Sequence, residues 1–407
     1  MSDWLGDLRG RAAAVVFACF VCQLGLGYMY LFGPLLPEVT GELGWTRSEF
    51  AAARWFYFGV LGSGLTVVGH LTARVGERLV MVMATVLIAV SFLLLARISE
   101  LWQLYAANAL FGVAMVGLSD VVIAGVVTRW LRRKRGLGLG IAFAASNVAG
   151  LIIPRTFASL ADAGDWRSAL GTLAIIGPAC ILPFAWLAGS RAPAVSGPAA
   201  KTLGVRALGL GQAMATRSFW LLLFSLSAYF FFFVGMNDAF VASFLDAGMS
   251  RSDATDLYVA AVGAGGISKI GVGLVADRIA PQRGLIIDFG LLAVSSVLLF
   301  FLPAQPFLAL FLVSYGLGVA ARDVVFPLVV GDVFGEETVP QIYGAMSIAL
   351  MFAGPFGSQL TQTIFDRTGS YDDAYTLYAI ATFLMLGSLA WVRREVGRVA
   401  SGSGSAT

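Results

Sequence analysis

SRSDATDLYVAAVGAGGISKIGVGLVADR, residues 250–278, is a long apolar segment with a single lysine, Lys269, eight residues before the polar pair Asp277 and Arg278. At about 1.5 Å of rise per residue, the ammonium falls about 12 Å from the membrane surface, near the middle of a hydrocarbon core ~30 Å thick. A charge at that depth is costly, and the physical expectation is that it faces a wet cavity and has a function.

The stretch has a twin, TRSEFAAARWFYFGVLGSGLTVVGHLTAR, residues 46–74. Arg47 matches Arg251, Ser48 matches Ser252, Glu49 matches Asp253, Gly69 matches Gly273 and Arg74 matches Arg278, all at an offset of 204 without a gap. A second match, at an offset of 203, sets Asp120-Val121-Val122 against Asp323-Val324-Val325. Two halves of about 200 residues thus repeat in the same direction, which is how transporters built from parallel repeats read in sequence.

Composition places the whole chain in a membrane. Of 407 residues 58% are hydrophobic and 13% charged, against about 25% charged in a soluble domain. The start of the chain is short and charged before a run long enough to span, so no removable signal peptide is expected. The net charge of +3 carries no nucleic-acid signal, because the basic residues flank apolar segments. Cys19-x-x-Cys22 lacks neighbouring His or Cys and reads as small helix residues. With His70 the sole histidine, no metal and no cofactor is expected.

Twelve spans can be read, at residues 12–37, 48–71, 78–96, 101–128, 137–160, 167–189, 218–245, 253–276, 284–302, 307–331, 341–365 and 374–392. The fold class expected is therefore an all-α membrane protein of twelve transmembrane helices in two pseudo-symmetric six-helix bundles. The bundles are 1–189 and 218–393, joined by a cytoplasmic linker at 190–217, with a tail at 394–407 that ends disordered. Loops on the side of the N-terminus carry 18 of the 27 basic residues, and the opposite loops hold Arg47, Arg97, Arg167, Arg251 and Arg367. The positive-inside rule then puts both termini in the cytoplasm of a multi-pass inner (plasma) membrane protein.

Two six-helix halves, a central linker and a repeated loop motif resemble the major facilitator superfamily. The motif, Gly-x-Leu-x-x-Arg-x-Gly-x-Arg, stands here as Gly69, Leu71, Arg74, Gly76 and Arg78, and recurs as Gly273, Leu274, Asp277 and Arg278. Ala73 occupies a position where the family usually has Asp. Within the superfamily, EVTGELGWTRSEF and RWLRRKRGLGLGIAFAASNVAG are similar to stretches of the monocarboxylate transporters and their bacterial oxalate/formate-exchanger relatives. By the same resemblance Lys269, in GISKIGVGLVADR, takes the position of a substrate-binding arginine. Gly265 stands where many eukaryotic members carry an aspartate.

The resemblance implies that helices 1, 4, 7 and 10 line a cavity and that helices 3, 6, 9 and 12 face lipid. Spans three, six and twelve hold no ionisable residue in their apolar stretches, and the ninth holds only Asp288. Deep charges fall instead at Asp120, Arg155, Asp238, Lys269, Arg322 and Asp323. Lys269 and Arg322, with Asn147, Tyr28 and Gln23, are the substrate-binding candidates. Asp323 and Asp120 are the proton-coupling candidates. Arg155, Asp238, Asn237, Asp277, Arg278 and Arg74 are the gating candidates. Arg155 and Asp238 would pair as an extracellular gate or simply hold helices together, and Asp120 with Arg322-Asp323 would serve transport or a fixed structural network.

The function expected is secondary active transport of small organic anions, foremost monocarboxylates with proton coupling, by a monomer in contact with membrane lipid. Exchange of oxalate/formate type, or export of another small molecule, is the alternative. A membrane receptor or enzyme is the non-transport alternative, and the sequence offers no nucleophile–base pair, metal cluster or phosphate loop for it.

Overall fold

Apolar chain in a bilayer must satisfy its backbone within each segment, so helices are the expected outcome. In the computed structural model, residues 8–131, 135–189, 208–275, 280–335 and 338–395 are described, and among them every regular element is helical. The chain is a multi-pass membrane protein: many large apolar side chains, among them Phe56, Ile175, Ile176, Trp186, Phe383 and Leu384, lie exposed on its flanks, where water would penalise them and lipid does not.

Helix α1 is the run Gly10–Leu43, and it changes character midway. An α-helix at Gly10–Gln23 passes into a 3-10 segment, Leu24–Leu31, and resumes as α-helix at Phe32–Leu43. Two glycines let neighbours approach the tight segment closely: a methyl group on Gly27 would lie 2.2 Å from the Ala149 Cβ, and one on Gly25 would lie 2.7 Å from Leu118. Side chains there would push neighbouring helices away.

Then follow α2 (Arg47–Val75), α3 (Glu77–Leu95), α4 (Leu101–Trp130), α5 (Arg135–Ala163) and α6 (Trp166–Ala188). After these come α7 (Arg217–Asp246), α8 (Arg251–Val275), α9 (Pro281–Leu298) and α10 (Phe307–Phe334). The last are α11, in two pieces at Val339–Met346 and Ile348–Thr368, and α12 (Asp372–Leu389).

Among the described residues, eight helices are long and apolar enough to cross a membrane by length and composition alone. Helix α10 is one continuous helix that carries Arg322 and Asp323 with apolar residues on either side.

The twin stretches open α2 and α8 in the same way. Thr46 caps α2, accepting from the Glu49 amide at 3.2 Å while its own amide donates to Glu49 at 2.8 Å. Ser250 accepts from the Asp253 amide at 3.1 Å before α8. These are capping boxes and near-boxes, each satisfying amides a helix start leaves free.

One buried apolar core is drawn from residues 8–188 together with Val234 and Ala242, and a second from residues 213–392. Across that division α1 packs on α7, α2 on α11 and α5 on α8.

Candidate functional site

Two helix breaks meet at the middle of the N-terminal helices. Helix α4 interrupts after Gly117, and Ser119 begins a new helical segment whose first residue is Asp120. A carboxylate at that position faces the free amides of a helix start, which favour negative charge. Gln23, where α1 turns into its 3-10 segment, donates to Asp120 Oδ1 at 3.0 Å and to the Leu118 carbonyl at 3.5 Å. One side chain therefore ties both breaks together.

Opposite stands a charge cluster from α8 and α10. Lys269 Nζ lies 2.9 Å from Asp323 Oδ2, and Arg322 Nη2 lies 2.6 Å from Asp323 Oδ1. One carboxylate is thus held by two cations, one on each oxygen. Arg322 also donates to the Tyr343 hydroxyl of α11 at 2.9 Å and stacks over the rings of Tyr229 and Phe230, 4.7 and 4.8 Å from their centroids. The Asp323 side chain is 42% exposed, and Asp120, at the start of its helical segment, is exposed as well. Neither carboxylate is packed into the apolar core. Asp120 and Asp323, matched in the repeat, are within electrostatic reach of each other and of Lys269.

The opposite end of the molecule, where α2 and α8 begin, is fastened shut. Arg47 grips Asp246 of α7 with two bonds, at 2.6 and 2.9 Å, and its guanidinium sits 3.8 Å over the Phe365 ring. Asp366 of α11 accepts from the Arg47 and Ser48 amides at 3.0 and 2.8 Å. Arg251 in turn reaches Asp162 of α5 and Glu38 of α1, both at 2.8 Å. Burial pushes the Tyr371 phenol up, so it stays a neutral acceptor for Arg47.

Two turns deeper on α2, Arg54 is 2% exposed and forms a two-pronged pair with Asp238 of α7, its Nε lying 2.8 Å from Oδ2. Ser358 of α11 donates to the same oxygen at 2.6 Å. Tyr258, which the 204-residue offset matches to Arg54, donates to Asn237 at 2.9 Å. Both copies of that repeat position therefore converge on Asn237 and Asp238.

Arg54 is the main residue that sequence reasoning missed. Its signal was a cation two helical turns inside an apolar segment. The anticipated pairing of Arg155 with Asp238 does not form: Arg155 faces Asp256 of α8 at 3.3 Å, with both side chains largely exposed, and Asp238 is taken by Arg54. Tyr28 does not join the charge cluster either. Its hydroxyl donates to the Leu173 carbonyl at 2.5 Å, on the α6 side, whereas Tyr30 is the ring near Lys269, Asp323 and Asp120.

Asn147 lies on α5 against α8, donating to the Val262 carbonyl at 3.4 Å, with its Oδ1 buried and without a partner among the described residues. Arg74, in the last turn of α2, is exposed. Asp277 and Arg278 lie outside the described residues, as do 190–207 of the expected linker and 396–407 of the tail.

A family model described as Major Facilitator Superfamily matches residues 15–358, most of the chain. The chain belongs to the major facilitator superfamily. It is thereby a member of a superfamily of membrane transporters. Among curated proteins, this superfamily member is 24% identical over 396 residues to monocarboxylate transporter 11 of Mus musculus, covering 93% of this chain and 86% of the mouse protein. It is 25% identical over 225 residues to MFS-type transporter pytF of Aspergillus terreus, covering 54% of this chain and 70% of that protein. A match to human monocarboxylate transporter 11, 27% identical over 167 residues, covers 40% of this chain and 34% of the human one.

Proposed function

We propose that this transporter carries small organic anions, monocarboxylates foremost, together with a proton. Its twelve spans would work as two six-helix bundles (1–189 and 218–393) that rock about the central charge cluster, in a plasma membrane with both termini cytoplasmic. The observation that carries this reading is the single carboxylate of Asp323 bracketed by Lys269 and Arg322. That carboxylate stands where a substrate carboxylate would stand.

The mechanism follows from charge balance. Empty, the cluster offers Asp323 and Asp120 against Lys269 and Arg322, a sum of zero. Bringing unpaired charge through a low-dielectric interior is costly, so a neutral cluster can reorient. A substrate carboxylate arriving at Lys269 displaces Asp323, and a proton on the freed acid restores neutrality. Lysine suits this exchange as a point donor without the two-pronged fork that would hold one partner rigidly. The bridged far end and the solvent-reached carboxylates correspond to a state open toward the N-terminal side. The monocarboxylate transporter named among the relatives supports the substrate class.

A second reading, exchange of dicarboxylates, is favoured by the same two cations, which would suit one carboxylate each. Counterflow in proteoliposomes loaded with mono- and dicarboxylates tests both. Lys269→Ala should lower counterflow of the accepted substrate about tenfold or more, since a hydrogen bond to a charged group is worth about 1.5–3 kcal/mol. Absence of counterflow with every carboxylate, or unchanged counterflow in Lys269→Ala, overturns the proposal.

A further inference from the structure

Behind the charge cluster lies a carboxyl that the scheme above does not use. Asp288, on α9, is 2% exposed, and among the described residues neither of its oxygens has a hydrogen-bond partner. An ionised carboxylate so placed would be desolvated without compensation, and groups in that position neutralise instead. Its surroundings bring it to Arg322. A methyl group on Gly318, one turn before Arg322 on α10, would come 3.2 Å from the Asp288 carbonyl oxygen. Phe289, the next residue, stacks on Tyr229 with ring centroids 6.2 Å apart. Tyr229 is the ring on which the Arg322 guanidinium rests.

Arg322 has a matching vacancy in its bonding. Nη1 and Nη2 are engaged by Tyr343 and Asp323, but Nε is buried without a partner among the described residues. An unsatisfied donor and an unsatisfied acid therefore lie buried on two helices that pack against each other.

Among the described residues, the other charged or titratable groups around Asp288 are few. Helix α10 presents Arg322 and Asp323, and α7 presents Tyr229. On α12, the bonds from Ser296 to Thr382 and from Gln282 to Leu389 bracket the level of Asp288, and residues 382–389 hold no titratable side chain. On α9 itself, Arg283 is exposed.

We propose that Asp288 is the reserve counter-ion of Arg322: it keeps its proton while Asp323 holds the guanidinium, and ionises to take the guanidinium when Asp323 is neutralised. In that exchange an O–H bond breaks at Asp288 and one forms at Asp323, and the proton that enters with a substrate carboxylate is a second one, taken by Asp120, the other acid of the cluster. The proton count and the net charge of the two acids and Arg322 stay the same. Arg322 is then never left without an anion while Asp323 is neutral. The inference rests on the transport reading for what neutralises Asp323 in the working protein, and Asp288 acts through Arg322 as a positioning residue.

Infrared spectroscopy of the purified full-length protein, without substrate and at neutral pH, tests this directly. The wild type should show the C=O band of a protonated, buried carboxylic acid, which Asp288→Asn removes and Asp288→Glu shifts. In Asp323→Asn, where Asp288 is intact, the band should disappear, because Asp288 then ionises against Arg322. Adding Arg322→Gln to that variant should restore it. Absence of an Asp288 band in the wild type, or its persistence at full strength in Asp323→Asn, overturns the proposal. Since no substrate is involved, failure of carboxylate counterflow alongside the expected bands would reject the transport reading and leave this inference standing.

Discussion

Arg47 and Arg251 occupy the same place in two copies of one helix start, and each reaches out of its own copy into the other. Arg47 pairs with Asp246, and Arg251 with Asp162 and Glu38. The symmetry extends to residues that sequence comparison had not matched. Asp162 and Asp366, again 204 apart, are the carboxylates that receive the two helix starts, one through the Arg251 guanidinium and one through the amides of Arg47 and Ser48. A duplicated element has thus made a two-sided clasp.

The clasp should set how often that end opens. Exposed ion pairs are worth about 0.2–1 kcal/mol each, so Arg47→Gln with Arg251→Gln, which removes all three, should shift the equilibrium toward the open end about 3-fold to 150-fold. Distances between spin labels at Ala163 and Thr368, at the ends of α5 and α11, would report it as a longer-distance population. An unchanged distribution would show that the clasp does not govern opening.

The Arg54–Asp238 pair should behave differently, because it is dry. Removing one member of a buried pair costs about 3–5 kcal/mol, whereas replacing both by apolar residues is often near neutral. Arg54→Leu is therefore expected to destabilise the detergent-solubilised protein by that amount in chemical unfolding. Arg54→Leu with Asp238→Leu should recover more than half of the loss. A single variant costing under about 1 kcal/mol would argue that the pair is solvated.

Tyr28 is expected to be structural. Losing its hydrogen bond in Tyr28→Phe should cost about 0.5–1.5 kcal/mol and leave transport intact. Gly177→Ala should cost more, since the added methyl would lie 1.9 Å from the Tyr28 hydroxyl. With the hydroxyl removed, the nearest ring atom lies 3.0 Å away, so the double variant should be more stable than Gly177→Ala alone. Thermal unfolding of the four proteins closes the cycle, and simple additivity would contradict this packing.

What the chain revealed in advance was charge at depth. Lys269, Arg322, Asp323 and Asp120 stand out because ionisable residues are rare in apolar helices, and α8 and α10 do bring three of them together. Arg54 escaped for two reasons: its partner is 184 residues away, and its repeat counterpart Tyr258 is uncharged, so the 204-residue comparison gave no flag. The choice between Tyr28 and Tyr30 was illegible for a geometric reason. In a 3-10 helix each residue turns about 120° rather than 100°, and hydropathy does not distinguish the two helices. The tight segment is also where α1 approaches its neighbours most closely, with Gly27 against Ala149 and Gly25 against Leu118, a docking that one segment's sequence does not display.

The central claim is that Asp323 yields Lys269 to a substrate carboxylate and takes a proton in exchange. Uptake of a labelled monocarboxylate into proteoliposomes, with and without an inward proton gradient, tests it most directly when wild type and Asp323→Asn are run side by side. The expected result is wild-type uptake driven by the gradient, and an Asp323→Asn protein that exchanges substrate but no longer responds to the gradient. Wild-type uptake indifferent to the gradient, or an Asp323→Asn protein as strongly driven as wild type, would contradict the account.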